Sequence, residues 1–198
     1  MADSFFSVFV PLKRVRARLL PCWVAILGCF LSGELFAEEI PAAASEAKLL
    51  GGIRQLTFEG IRAGEGYFSG DGSKMVFQSE REKGNPFYQI YLLDLETGDT
   101  ERISPGMGKT TCAWIHPDGK HVLFASTHAD ADSAEQQKAE YAERESGKAR
   151  KYTWDYDAAF EIYSHNLETG ENVNLTKTEG YDAEGAFSPD GTKLVFAS

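Results

Sequence analysis

Cysteine and histidine are both scarce in this chain of 198 residues, which holds three of the first and four of the second. Cys22 and Cys29 fall in an N-terminal segment that reads as a leader, which leaves Cys112 as the one cysteine of the mature chain and excludes an internal disulfide there. A lone thiol becomes a nucleophile only in a basic, activating neighbourhood. Cys112 lies between Thr111 and Ala113 in an expected strand and reads as a small buried hydrophobe. None of the four histidines has zinc-like spacing to another ligand. His128-Ala-Asp130-Ala-Asp132 alternates ligand types but lacks the central Gly and terminal Glu of a calcium loop. No metal and no cofactor are expected. Gly-x-Ser-x-Gly, a phosphate loop and a dinucleotide fingerprint are all absent, so no nucleophile stands with its base.

Positive charge is short as well. Lys and Arg number 20 against 30 Asp and Glu, for a net charge of −10. Removing residues 1–37, with four basic and two acidic side chains, takes this to −12. Such a surface repels nucleic-acid phosphates and anionic headgroups, and favours basic peptides, cationic ligands or metal ions. It also serves simply to keep an exported protein soluble.

The leader has a basic start (Lys13, Arg14, Arg16, Arg18), an apolar stretch from Leu19 to Gly33, and Leu35-Phe36-Ala37 as a cleavage site before Glu38. The expectation is a signal peptide at 1–37, a linker at 38–52 and a periplasmic or secreted product without a membrane span. Two other readings of the same residues stand beside it. One is an uncleaved anchor, although the stretch is short for a spanning helix. The other is a lipoprotein box, Ile26-Leu27-Gly28-Cys29, acylated at Cys29.

What the chain does contain is a repeat. Ser69-Gly70-Asp71-Gly72, His116-Pro117-Asp118-Gly119 and Ser188-Pro189-Asp190-Gly191 are three versions of one turn. Each is followed by an apolar run ending in Ser, at Ser79, Ser126 and Ser198. Pro pre-sets φ, Asp caps through its carboxylate, and Gly takes the positive φ that closes a tight hairpin. Leu56 and Phe68, Ile103 and Ile115, and Leu175 and Phe187 are each 12 residues apart. A third run, Phe87–Asp94 or Phe160–Asn166, leads into a second turn, Leu95-Glu-Thr-Gly98 or Leu167-Glu-Thr-Gly170. A polar strand then closes the unit. Four short β-rich runs between turn residues read as a four-stranded antiparallel meander.

Asp71 and Asp118 are 47 residues apart, a usual propeller-blade length, and Asp118 and Asp190 are 72 apart. The excess of about 25 residues is an insertion at 127–153. Within it, Asp132-Ser-Ala-Glu135 has the form of a capping box ahead of helix formers up to Ser146, with Gly147 as the stop. The helix has few apolar residues and is expected to project from the rim with most of its surface wet. The reading is an all-β propeller segment over 53–198: a blade at 53–104, a blade at 105–176 and a partial blade at 177–198. Propellers close with four to eight blades, and a blade buries its apolar faces only against neighbours. The expectation is therefore the front portion of a longer protein.

Leu-Thr, a strand, Ser-Pro-Asp-Gly, Val-Phe-Ala-Ser, Ile-Tyr and Leu-Glu-Thr-Gly together resemble the TolB-like propeller repeat, a relative of the WD type. The resemblance covers Ile53 to Ser198. It implies blades of the kind found in periplasmic TolB and in prolyl-oligopeptidase-like and other peptidases, and it does not choose among their functions. TolB itself carries an α/β domain ahead of its propeller, whereas blades here begin about 15 residues after the leader. By the same resemblance Ser79-Glu80-Arg81 keeps a family pattern in which Arg81 ties adjacent loops.

The first strand of each blade lines the central channel in such propellers. Aligning the copies makes Glu65, Cys112 and Glu184 equivalent, and likewise Tyr67, Trp114 and Ala186, with Glu65 and Tyr67 placed on one side by period-two alternation. Two carboxylates there suit a cation or a peptide amine; the alternative is solvated strand-end acids. Trp154-Asp155-Tyr156-Asp157, after the insertion helix, sets aromatic planes beside acids, which suits the same ligands or else staples the insertion down. Three readings remain open: an exported, non-catalytic scaffold for a protein or peptide partner, the propeller of a peptidase whose catalytic domain lies downstream, and a purely structural fragment with no activity of its own.

Overall fold

The computed structural model describes residues 49–149, 151 and 153–198. The leader, both alternative readings of it, and most of the linker lie outside those residues. Turn and strand chemistry appear where the repeat puts them. The first sheet runs in the order β1 (Arg62–Phe68), β2 (Lys74–Glu80), β3 (Gln89–Asp94), β4 (Thr100–Arg102). The second is β5 (Thr110–Ile115), β6 (His121–Ser126), β7 (Glu161–Asn166), β8 (Asn172–Asn174). The third holds β9 (Ala183–Phe187) and β10 (Leu194–Ala197). Every pairing is antiparallel.

The sheets fan. β5 packs against β1, β2 and β3, and β9 against β5, β6 and β7. Val76, Ile90 and Leu92 of the first sheet meet Ala113, Ile115, Val122, Phe124 and Tyr163 of the second in one buried core. Between the second and third sheets Gly185 is so close to its neighbour that an added Cβ would stand 2.4 Å from Leu123 Cδ2. The opposite face of the first sheet, Met75, Phe77, Tyr91 and Leu93, takes Leu56 and Leu95 as partly buried neighbours. Arg81 does tie segments there: it pairs with Glu59 at 3.5 Å and its guanidinium lies 5.1 and 4.9 Å from the Phe77 and Tyr91 rings.

The insertion contains α1 (Ser133–Glu145). Its start differs from the expected capping box. Asp132 makes no side-chain cap bond; its N–H is held by Asp130 Oδ1 at 3.1 Å, and Ser133 Oγ donates to Thr127 O at 2.6 Å. The local Asp130 turn thus occupies the group that a capping box would use. The helix is polar as expected, but it is fastened to the first sheet. Arg144 donates to Glu80, Glu140 and the Pro86 carbonyl, and Gln137 bonds both Gly84 O and Gly108 N.

Candidate functional site

The three aligned positions share a backbone feature that alternation does not reveal. Glu65, Cys112 and Glu184 are all non-glycine residues in the left-handed region, at φ 45°, 52° and 57°. In each sheet the register of the first strand against the second slips at that point, as a β-bulge does. A bulge re-aims the side chain it carries. Glu65 and Tyr67 do line one cavity, of about 330 Å³, together with Cys112, Trp114 and Glu184. They reach it through the bulge and not by simple alternation.

Contacts within this row are direct. Cys112 Sγ donates to Glu65 Oε2 at 3.4 Å, and the Tyr67 and Trp114 rings are tilted with centroids 4.8 Å apart. Burial pushes the Cys112 thiol up to about 12, with the Glu65 and Glu184 charges adding to the effect against a Thr111 hydrogen bond. The Tyr67 phenol is raised by burial and then by Glu65, Cys112 and Glu184. Cys112 is therefore unreactive, but it is not the fully buried hydrophobe expected. It is half-buried and faces a carboxylate, which keeps it a thiol and not a thiolate.

The segment after the helix reaches the same place from another part of the sequence. Trp154 and Asp155 line a cavity of about 260 Å³ with Glu65, Cys112, Lys109 and Tyr181. Trp154 and Tyr156 line a further one with Tyr181 and Glu184. The rings form a chain, Trp154 to Tyr156 at 6.3 Å and Tyr156 to Tyr181 at 5.3 Å. Asp155 and Asp157 each sit 2.8 Å from Lys109 Nζ, so one ammonium binds both. Asp157 is held low against its burial chiefly by that contact, while Lys109 is raised by its two carboxylates despite burial. Arg62, also on the wall, donates from Nε to Glu80 at 2.8 Å and lies 4.4 Å over the Tyr88 ring.

Of the eight candidates, Glu65, Tyr67, Trp114 and Glu184 meet in one cavity, Trp154, Asp155 and Tyr156 line the adjoining ones, and Asp157 acts through Lys109. Sequence reasoning missed Arg62, Lys109 and Tyr181, whose roles depend on which loops meet. It also passed over His116 and His121. Their ligand atoms and that of Asp118 all lie within 4.8 Å of one another, because the hairpin closes a five-residue separation. The signal was the replacement of Ser and Lys, the residues of the other two turns, by two histidines around the constant Asp.

Radially packed, four-stranded antiparallel sheets with bulged inner strands define a β-propeller. No protein-family model matches the chain. Among solved structures it is similar to TolB from Acinetobacter baumannii, at 25% identity and a TM-score of 0.51, over 72% of this chain and 28% of that one. It is similar in fold to a putative TolB from Agrobacterium tumefaciens, at 19% identity and a TM-score of 0.52, over 72% of this chain and 40% of that one. The propeller is thus of the TolB-like kind. Among curated proteins it is similar to the uncharacterized peptidase YuxL of Bacillus subtilis (strain 168), 26% identical over 140 residues, 66% of this chain and 21% of the relative. The chain therefore spans about a fifth of that relative's length. No helix among the described residues is long and apolar enough to cross a membrane.

Proposed function

We infer that this chain is an exported, non-catalytic propeller scaffold, periplasmic or secreted, that binds a protein or peptide partner through basic groups. The observation that carries this is the convergence of Glu65 and Glu184, from two sheets, on cavities walled by the Tyr67–Trp114 pair and the Trp154–Tyr156–Tyr181 rings. A lysine or N-terminal ammonium gains twice there: Coulomb attraction to two carboxylates, and the faces of rings that favour cations. The acidic surface steers the same partners and repels nucleic acid. Lys109 offsets one of the two charges of Asp155 and Asp157, whereas Glu65 and Glu184 bring two carboxylates to the bulge row.

Fluorescence anisotropy of labelled hexalysine, hexaglutamate and a neutral hexapeptide against the full chain tests the reading. Hexalysine is expected to bind best, with affinity falling as salt rises. Equal binding of the three peptides would reject it. A second reading, the propeller portion of a larger peptidase in which the same mouth admits peptide substrates, is favoured by the curated relative's name. Peptide hydrolysis by a longer form of the protein, abolished by a substitution outside residues 53–198, would establish that reading.

A further inference from the structure

We propose that the turn between β5 and β6 is a divalent transition-metal site, with His116, Asp118 and His121 as its ligands. The three copies of the turn supply the comparison. In the first and third, Ser69 and Ser188 donate to Asp71 and Asp190 at 2.6 Å, and a lysine, Lys74 or Lys193, opens the next strand. In the second copy alone both flanking residues are histidine, and both rings turn the same nitrogen to the carboxylate. His116 Nδ1 lies 3.0 Å from Asp118 Oδ1, and His121 Nδ1 lies 2.9 Å from Asp118 Oδ2. Ligand atoms of a tetrahedral zinc stand roughly 3–4 Å apart, given bonds of about 2.0–2.2 Å. The three ligand atoms lie within 4.8 Å of one another, so small rotations bring them to one ion.

The surroundings orient one ring for this. His116 Nε2 is 3.1 Å from the Gly191 carbonyl, which only accepts, so Nε2 carries the proton and the Nδ1 lone pair accepts the Asp118 backbone N–H at 3.1 Å, a bond that the ion would replace. A metal-bound histidine commonly donates its second N–H to a carbonyl in this way. The bond also runs from the second sheet's turn to the third's, and the ring stands edge-on to Phe187 at 4.5 Å. An ion here would hold the His116 ring in the orientation that makes this bond.

His121 has to rearrange. Asn166 Oδ1 accepts the N–H groups of Glu168 and Thr169, which leaves Nδ2 to donate to His121 Nε2 at 3.2 Å. The metal-free ring therefore holds its proton on Nδ1 and gives it to Asp118. Binding moves that proton to Nε2, with no net loss, and breaks the Asn166 bond. Two imidazoles and one carboxylate favour Zn²⁺, Ni²⁺ or Cu²⁺ over Mg²⁺ or Ca²⁺.

Calorimetric titration of the full chain with ZnCl₂ and with MgCl₂ is the test, beside the variant H116S/H121K, which writes the first turn's residues into the second. The expected result is one zinc per chain, no magnesium, and binding ~100-fold weaker or absent in the variant. In the wild-type chain, ¹⁵N spectra should show the His121 ring proton moving to Nε2 and the Asn166 side-chain amide shifting. Equal zinc affinity in the variant, no zinc binding in the wild type, or zinc binding that leaves the His116, His121 and Asn166 signals unmoved would overturn the proposal. The spectra decide the matter if the variant does not fold.

Discussion

Arg144 Nη1 donates to Glu80 Oε1 at 2.7 Å, joining residues 64 apart in the chain and fixing the insertion helix to the first sheet. The acceptor is buried, with a side chain 2% exposed, and Arg62 supplies its other partner. Removing one partner of a buried ion pair leaves charge unmatched. Arg144→Ala is expected to destabilise the fold by about 2–3 kcal/mol, less than a fully orphaned carboxylate would because Arg62 remains. Arg144→Lys should recover little, since a single ammonium does not reach Glu80, Glu140 and Pro86 O together. Urea melts of the three proteins check this.

Gly185 tests the packing between the second and third sheets. An alanine methyl there meets Leu123, Ile162 and Leu194, and Leu123 and Ile162 are fully buried. Gly185→Ala should destabilise by about 1–3 kcal/mol through overpacking. A neutral result in a thermal melt would mean that β9 does not lie against the second sheet as described.

Cys112 reports on the bulge row. With its thiol held at about 12, alkylation by iodoacetamide at pH 8 should be much slower than for a free cysteine. Glu65→Gln removes both the accepting carboxylate and its charge, and should speed the reaction. An unchanged rate would place Glu65 away from Cys112.

The carboxyls of Asp71 and Asp190 are both held at about 2, below their usual 3.8, by the serine hydroxyl two residues earlier and by donors in the same turn. A depressed folded-state value means stabilisation that is full above about 4 and is lost as pH falls towards 2. Carboxyl ¹³C titration should give midpoints near 2 for both, whereas midpoints near 4 would show that the turns are open.

The turn arithmetic made the strands legible, since Asp-Gly spacing and alternating apolar residues act over a few residues. The bulges were not, because period-two reading assumes no extra residue; the glycines beside Glu65 and Glu184 were the available hint. The capping box failed because Asp130, a closer acceptor, took the backbone group first. Glu65, Tyr67, Trp114 and Glu184 came from aligning the copies. Arg62, Lys109 and Tyr181 did not, because nothing local in the sequence brings those loops together.

The central claim is that Glu65 and Glu184 make the bulge row a seat for basic groups. It is tested most directly by the affinity of hexalysine for the full chain carrying Glu65→Lys and Glu184→Lys, with folding confirmed by circular dichroism. Loss of hexalysine binding by ~10-fold or more, with hexaglutamate binding gained, is the predicted outcome. Hexalysine binding equal to that of the unaltered chain would contradict it.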